Sequence, residues 1–345
     1  MRASCLRHLV ECREPKVHAN SMKARTKAVR LVIAAAAVWT ATVAAQGFPD
    51  RPVKISAPYS AGAAPAIFTR VIADKLAKAW GQPVIVEPRP GASGFVALEA
   101  VRKAAPDGHE LVVVSNAHVA INPSLYKELP YDPDKDFVPV AMLYRTPFFL
   151  VASSTGPYAT VSALIAAAKA APESVSYGSS YVGSPSHLGS AEFEYLTGTK
   201  MIHVPYKDQS QMYVAIANGD VGWVFSTLGS ALPLVTSGRL KLVAVAAKER
   251  VPGLPDVPTL TEAGGPAMVV DSWLAVMAPR GTPPQVVQKI NAAINAALAD
   301  ADVQQNLRTF GFEAAAGTPQ ALGDFIHAEA RRFAALVKRT GATAD

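Results

Sequence analysis

Val53-Lys54-Ile55-Ser56-Ala57-Pro58 is followed by Ser60-Ala61-Gly62-Ala63-Ala64-Pro65. Beyond it, Ile67 and Val71, and Phe68, Ile72, Leu76 and Trp80, recur at four-residue spacing as far as Gly81. The first run is short, apolar and β-branched, as a buried strand is. The second has only small residues and reads as a tight loop, and the third places its apolar residues on one face of a helix that Gly81 ends. A change of period from strand to helix across a small-residue turn is the unit from which parallel α/β sheets are wound. The unit repeats at once, with a strand over 83–87, a loop over 88–94, a helix to about Ala104, a turn at Asp107-Gly108 and a strand over 110–115. Together these make one wound lobe.

The same grammar returns further along the chain. A continuous strand over 145–154, centred on 148–152, leads to a helix over 162–170, a strand over 175–177 and a Ser/Gly loop over 178–185. A helix from about Ser186 is closed by Gly198. A strand over 201–206, a helix over 209–218 and strands over 221–225 and 240–246 complete a second lobe. The segment 252–265 is Pro-rich and irregular, and 268–278 reads as a strand that crosses back and pairs the lobes through a two-strand hinge. Helices over 284–298, 301–310 and 319–340 form a terminal layer. The expected class is therefore α/β, with one lobe from 46–146 and 270–345 and the other from 147–269.

Ahead of all this, Arg30 precedes an uncharged run, 31–45, that ends in the small residues Val43, Ala44 and Ala45. Basic residues, then an apolar stretch of about 15, then small residues are the plan of a secretory signal peptide, and such a stretch falls short of the roughly 20 needed to span a bilayer. Cleavage is expected after Ala45, with Met22 as an alternative start and the mature chain in the periplasm. The signal takes eight basic and two acidic residues from totals of 33 and 27, leaving 25 of each. The pI of 9.2 thus belongs to the export signal and gives no support for a nucleic-acid or anionic-membrane face. Both cysteines, Cys5 and Cys12, go with it, so the mature chain is held by its core without disulfides.

In open α/β sheets the loops at the carboxyl ends of the strands meet helix N-termini, whose unpaired N–H groups and positive dipole ends suit an anion. Three loops fit: Ser60-Ala61-Gly62-Ala63-Ala64, Pro90-Gly91-Ala92-Ser93-Gly94 and Gly183-Ser184-Pro185-Ser186. None has the Lys-Ser/Thr ending of a P-loop or a full G-x-G-x-x-G, which favours a carboxylate over a phosphate. Each loop taken alone is more often an ordinary turn. The candidate ligand contacts are Tyr59, Ser60, Ala61, Gly62, Ala63, Ala66, Ser93, Ser179, Gly183, Ser184, His187, Lys207 and Ser226. Of these, Gly183 is expected where the second lobe's helix N-terminus meets the anion. Lys207 reads otherwise as a solvated lysine. Ser184 and His187 lie three residues apart on one turn, which is not the orientation of a nucleophile and its base. His109, His118, His187, His203 and His327 show no zinc spacing, and neither metal nor cofactor is expected. Trp223 and Phe225 read as core.

Several segments carry a resemblance. The runs 48–54 (FPDRPVK), 81–87 (GQPVIVE), 89–94 (RPGASG), 104–108 (AAPDG), 183–188 (GSPSHL), 203–207 (HVPYK), 254–259 (LPDVPT) and 278–283 (APRGTP) keep the order and spacing of the Bug-type substrate-binding receptors of tripartite tricarboxylate transporters, which the chain resembles over essentially all of its mature length. The resemblance implies a type II periplasmic binding protein fold with the ligand in its cleft, and the two-strand hinge leads us to expect that the lobes close on it. The resemblance also implies a carboxylate held by loops of both lobes, and delivery of a small organic acid by a monomeric receptor to membrane permease subunits. In members that bind amino acids an acidic residue stands at the position matching Ala66. Its absence here points to di- or tricarboxylates or aromatic acids, the last gaining if Phe68, Trp223 or Phe225 turns inward. A periplasmic dehydratase or lyase on the same fold, or a ligand-presenting sensor component, is the alternative.

Overall fold

The computed structural model describes residues 47–206 and 208–344, so the expected signal segment and Lys207 lie outside the described residues. From Pro49 onward the chain alternates strand and helix. Strand β1 (Val53–Ala57) leads through the small-residue loop to helix α1 (Ala64–Trp80), followed by β2 (Val84–Pro88), α2 (Phe95–Arg102) and β3 (Glu110–Ser115). These three strands are parallel, and β1 lies between the other two. β3 is buried from Leu111 to Ser115, as expected of a parallel strand covered on both faces.

The strand β4 (Phe137–Ser153) joins the lobes. Over Phe137–Pro147 it runs antiparallel to β9 (Asp271–Pro279), and over Phe148–Ala152 it runs antiparallel to β7 (Trp223–Thr227). One strand is therefore central to both sheets. The sequence reading places only its second half, because Pro139 and Pro147 remove ladder donors and the register shifts twice near Pro139 and Met142. At the crossing, Thr146 and Pro147 lie beside Ser272 and Asp271, and the Phe148 amide donates to the Val270 carbonyl at 2.8 Å. This is the two-strand hinge. Arg145 Nε donates to the buried Asp271 carboxylate at 2.9 Å, tying the crossing strands to each other.

The second lobe holds α3 (Val161–Ala170), β5 (Ser176–Ser179), α4 (Pro185–Thr197), β6 (Ile202–Pro205), α5 (Gln209–Asn218), β7, α6 (Leu228–Thr236) and β8 (Leu240–Val245). Its core is aromatic. Trp223 is fully buried, 5.3 Å from Phe193 and 5.1 Å from Phe225 between ring centroids. The chain then returns to the first lobe for α7 (Pro284–Leu298), α8 (Ala301–Phe310), the short β10 (Glu313–Ala314), which pairs with β4, and α9 (Pro319–Thr340). Several short elements are absent from the sequence reading, among them the helix Pro133–Asp136. The helical segments Ala117–Ile121 and Asn122–Leu125 follow β3 directly. Helix α6 contains Gly229 and Pro233 within nine residues, a composition that argues against a helix. Among the described residues no helix is long and apolar enough to cross a membrane.

Candidate functional site

A cavity of about 600 Å³ lies at the hinge between the lobes. Its walls come from the loop and first turn of α1, the end of β3, the crossing part of β4, the loop before α4, the start of α5, and the junction of β7 with α6. Four of these are helix N-termini, of which that of α5 is capped by the Asp208 carboxylate. In α1 the first main-chain bond is from the Ile67 amide to the Ala63 carbonyl, so the amides of Ala64 and Ala66 stand ahead of the ladder. Ala63, at the cap position, provides no side-chain cap. In α6 the cap residue Thr227 likewise makes no side-chain cap, and Gly229 and Ser230 of the first turn line the cavity. In α4 the Ser184 hydroxyl accepts from the His187 amide at 3.2 Å, while Pro185 and Ser186 face the cavity. Each uncapped end offers positive potential toward an enclosed anion.

Hydroxyls and amides complete the polar lining. Tyr59 hydrogen-bonds to Ser115, and burial raises its phenol well above the ordinary range, so it remains a neutral donor. Asn116 is held by three partners: its Nδ2 donates to the Asp271 carbonyl at 3.0 Å, and its Oδ1 accepts from the Ala117 amide at 3.1 Å and from Ser272 at 3.3 Å. Gln209 donates to Ser180 at 3.1 Å, and Tyr213 shares a 2.6 Å hydrogen bond with Ser226. Among the described residues the lining contains no Asp, Glu, Lys or Arg. Such a site would hold a charge by backbone dipoles and neutral donors.

The candidate contacts divide. Tyr59, Gly62, Ala63 and Ser226 line the cavity together. The Ala66 side chain is fully buried in the core, and only its amide is at the helix start. Ser60 and Ala61 are exposed outside the lining, where their carbonyls accept from the Ala63 amide and Arg70. Ser93 lines a neighbouring cavity of about 260 Å³ that shares Tyr59, Ser115, Ala117 and Tyr181 with the first. Ser179, Gly183, Ser184 and His187 lie behind the wall and brace it. The Gly183 amide, expected to meet an anion, is already donated to His187 Nδ1 at 2.9 Å. Ser179 bonds His203 Nε2 at 2.7 Å, and the rings of His187 and His203 stack 3.9 Å apart. Of the aromatics singled out, Phe225 faces the cavity while Phe68 and Trp223 stay in the core.

The sequence reading misses Ser115, Asn116, Tyr144, Thr146, the start of α6, and Phe310 and Phe312. A Thr at the end of a strand is a possible N-cap, and that signal could mark a helix start at Thr227. Nothing local places 310–312 at the cleft, because that contact is made by the return of the chain after the hinge.

Burial, with His203 as a neighbour, pushes His187 down to about 4, and burial alone does the same to His118, whose Nδ1 accepts from the Ser115 amide at 2.9 Å. Burial also lowers His203. These rings are neutral in the folded protein. The unfolded chain takes up protons near pH 6.5 and the folded one only near 4, so stability is complete above 6.5 and is lost as the pH falls toward 4. Glu194 and Glu329, raised by burial, oppose this over the lower part of the window. Thermal melts at pH 7, 5.5 and 4.5 should show a progressive fall in Tm. A Tm that holds constant or rises would mean that the rings are not neutral and enclosed.

The model of the tripartite tricarboxylate transporter family receptor matches residues 68–342. Protein BugT of Bordetella pertussis is 34% identical over 319 residues, covering 92% of this chain and 98% of its own. Among solved structures, R. palustris Rpa4515 with adipate is 33% identical with a TM-score of 0.77, covering 86% of this chain and 99% of its own. MatC from Rhodopseudomonas palustris with bound malate is also 33% identical, with a TM-score of 0.72, covering 84% and 100%.

Proposed function

The chain belongs to the tripartite tricarboxylate transporter receptor family, and on that premise we propose that it captures a small organic acid in the interlobe cavity and delivers it to the membrane permease subunits of such a transporter. The observation that carries the reading is the convergence of uncapped helix N-termini from both lobes on one cavity with no charged side chain among its described lining residues. A carboxylate there would receive the Ala64 and Ala66 amides from one lobe and the first turn of α6 from the other. Gly62, Ala63 and Ser186 would shape the approach, and Tyr59 and Asn116 would donate. Related chains carrying adipate and malate support a carboxylate.

The receptor would act in the periplasm as a monomer after removal of residues 1–45, with lobes comprising 46–146 plus 270–345 and 147–269. We read it as a binding protein without catalytic activity. His187 and Ser184, which could be taken for a base and a nucleophile, are each engaged in holding the loop before α4. Isothermal titration of residues 46–345 against a panel of mono-, di- and tricarboxylates should give one-to-one binding to at least one acid. Failure of every acid to bind would refute the reading.

A further inference from the structure

One wall of the cavity has a chemistry that a carboxylate site does not require. Tyr144 and Phe312 stack with centroids 3.8 Å apart and planes 6° from parallel, and Phe310 continues the stack at 5.4 Å from Phe312. All three rings line the cavity. Behind them the fully buried Phe68 meets Tyr144 and Phe312 edge-on, at 5.4 and 5.9 Å, so the column cannot lean away. Phe148, Phe225, Met212 and Ile67 extend the apolar surface.

This wall discriminates between acids. A carboxylate brought against this apolar wall loses hydration without gaining a hydrogen bond, whereas a flat apolar ring gains edge and face contacts with the column. The dipole supply is also limited. Each helix N-terminus presents about half a positive charge and the Asp208 cap offsets that of α5, so the ends of α1, α4 and α6 together fall short of matching two carboxylates. A cavity of about 600 Å³ is in the range that takes ring-sized ligands, so a four-carbon diacid would leave much of it to water.

The geometry points to a ligand with one carboxylate and a wide, flat apolar body, an aromatic monocarboxylate, whose ring is read by the Tyr144, Phe312 and Phe310 column. The inference rests on the receptor function proposed above and narrows its ligand. Phe310 is the ring to test, because it is half-buried at the end of its helix while Phe312 and Tyr144 are closely packed. Titration of the mature chain with benzoate, phenylacetate, malate and adipate should give at least about ten-fold tighter binding of the aromatic acids. Phe310→Ala should remove most of that preference by weakening the aromatic acids far more than the diacids. Phe312→Leu, with its Tm measured alongside, should act in the same direction. Diacids binding as tightly as the aromatic acids would overturn the ligand class and leave the receptor function standing. So would a preference that survives both substitutions, since the column would then not be its source. Binding of none of the four acids, nor of any acid in the wider panel, would remove the receptor function and this inference together.

Discussion

Ala63→Asp should raise the melting temperature and abolish most of the binding. Ala63 has the extended cap conformation, φ −72° and ψ 141°, with no side-chain cap of its own. Pro65 has no N–H to give, so a carboxylate at position 63 would accept from the Ala66 amide, the one a bound acid would use. The new cap stabilises the helix by about 1 kcal/mol, which in a chain of this size is roughly 2 °C. The same carboxylate takes the ligand's donor and adds a negative charge beside it, a loss on the order of 100-fold in affinity. The opposite signs are what make the experiment specific. A variant that melts higher and binds as before would take the start of α1 out of the site. One that melts lower would contradict the cap geometry.

The second large effect concerns a contact between the lobes. Gly183 has φ +82°, and a Cβ placed on it would stand 2.4 Å from Leu125 Cδ2. Leu125 is itself buried, in a cluster with Leu188, Phe333 and Leu336 that joins the second lobe to α9 of the first. Gly183→Ala therefore meets two penalties, about 1 kcal/mol for a side chain in the left-handed region and about 1–3 kcal/mol for overpacking. The overpacking acts where the lobes touch, so it should oppose the closed state and weaken ligand binding about ten-fold without any change of charge. Leu125→Ala in the same chain should recover the steric part and leave the backbone strain. Wild-type affinity in Gly183→Ala, or no recovery in the double variant, would show that this contact does not govern closure. Gly183→Asp, which adds a charge at the same place, would act first through the same collision.

How much of this could be read from residues alone depends on the range of the forces involved. The helices over 284–298, 301–310 and 319–340 match α7, α8 and α9 to the residue, because a Pro or a small polar cap opens each one and an apolar stripe runs its length. The alternation of short strands and helices gave the two lobes in the same local way. The site was legible only where it too was local. Tyr59, Gly62 and Ala63 follow a strand and precede a helix, and they reach the cavity. Gly183, Ser184 and His187 follow the same rule but form a loop that uses its own amide and hydroxyl groups internally. The aromatic column lay beyond reach, since Tyr144 and Phe312 stand 168 positions apart and meet only because β10 pairs with β4.

β4 has a further consequence. Each sheet counts this single strand among its own members, with β9 beside its first half and β7 beside its second. Neither half of the molecule is a spare part that could be excised, exchanged with a cousin or made alone, for severing the shared beam would leave both remnants with an open seam. Evolution of new ligand preferences in such an architecture must proceed through the loops and the returning tail, while the strand that carries both halves stays in place.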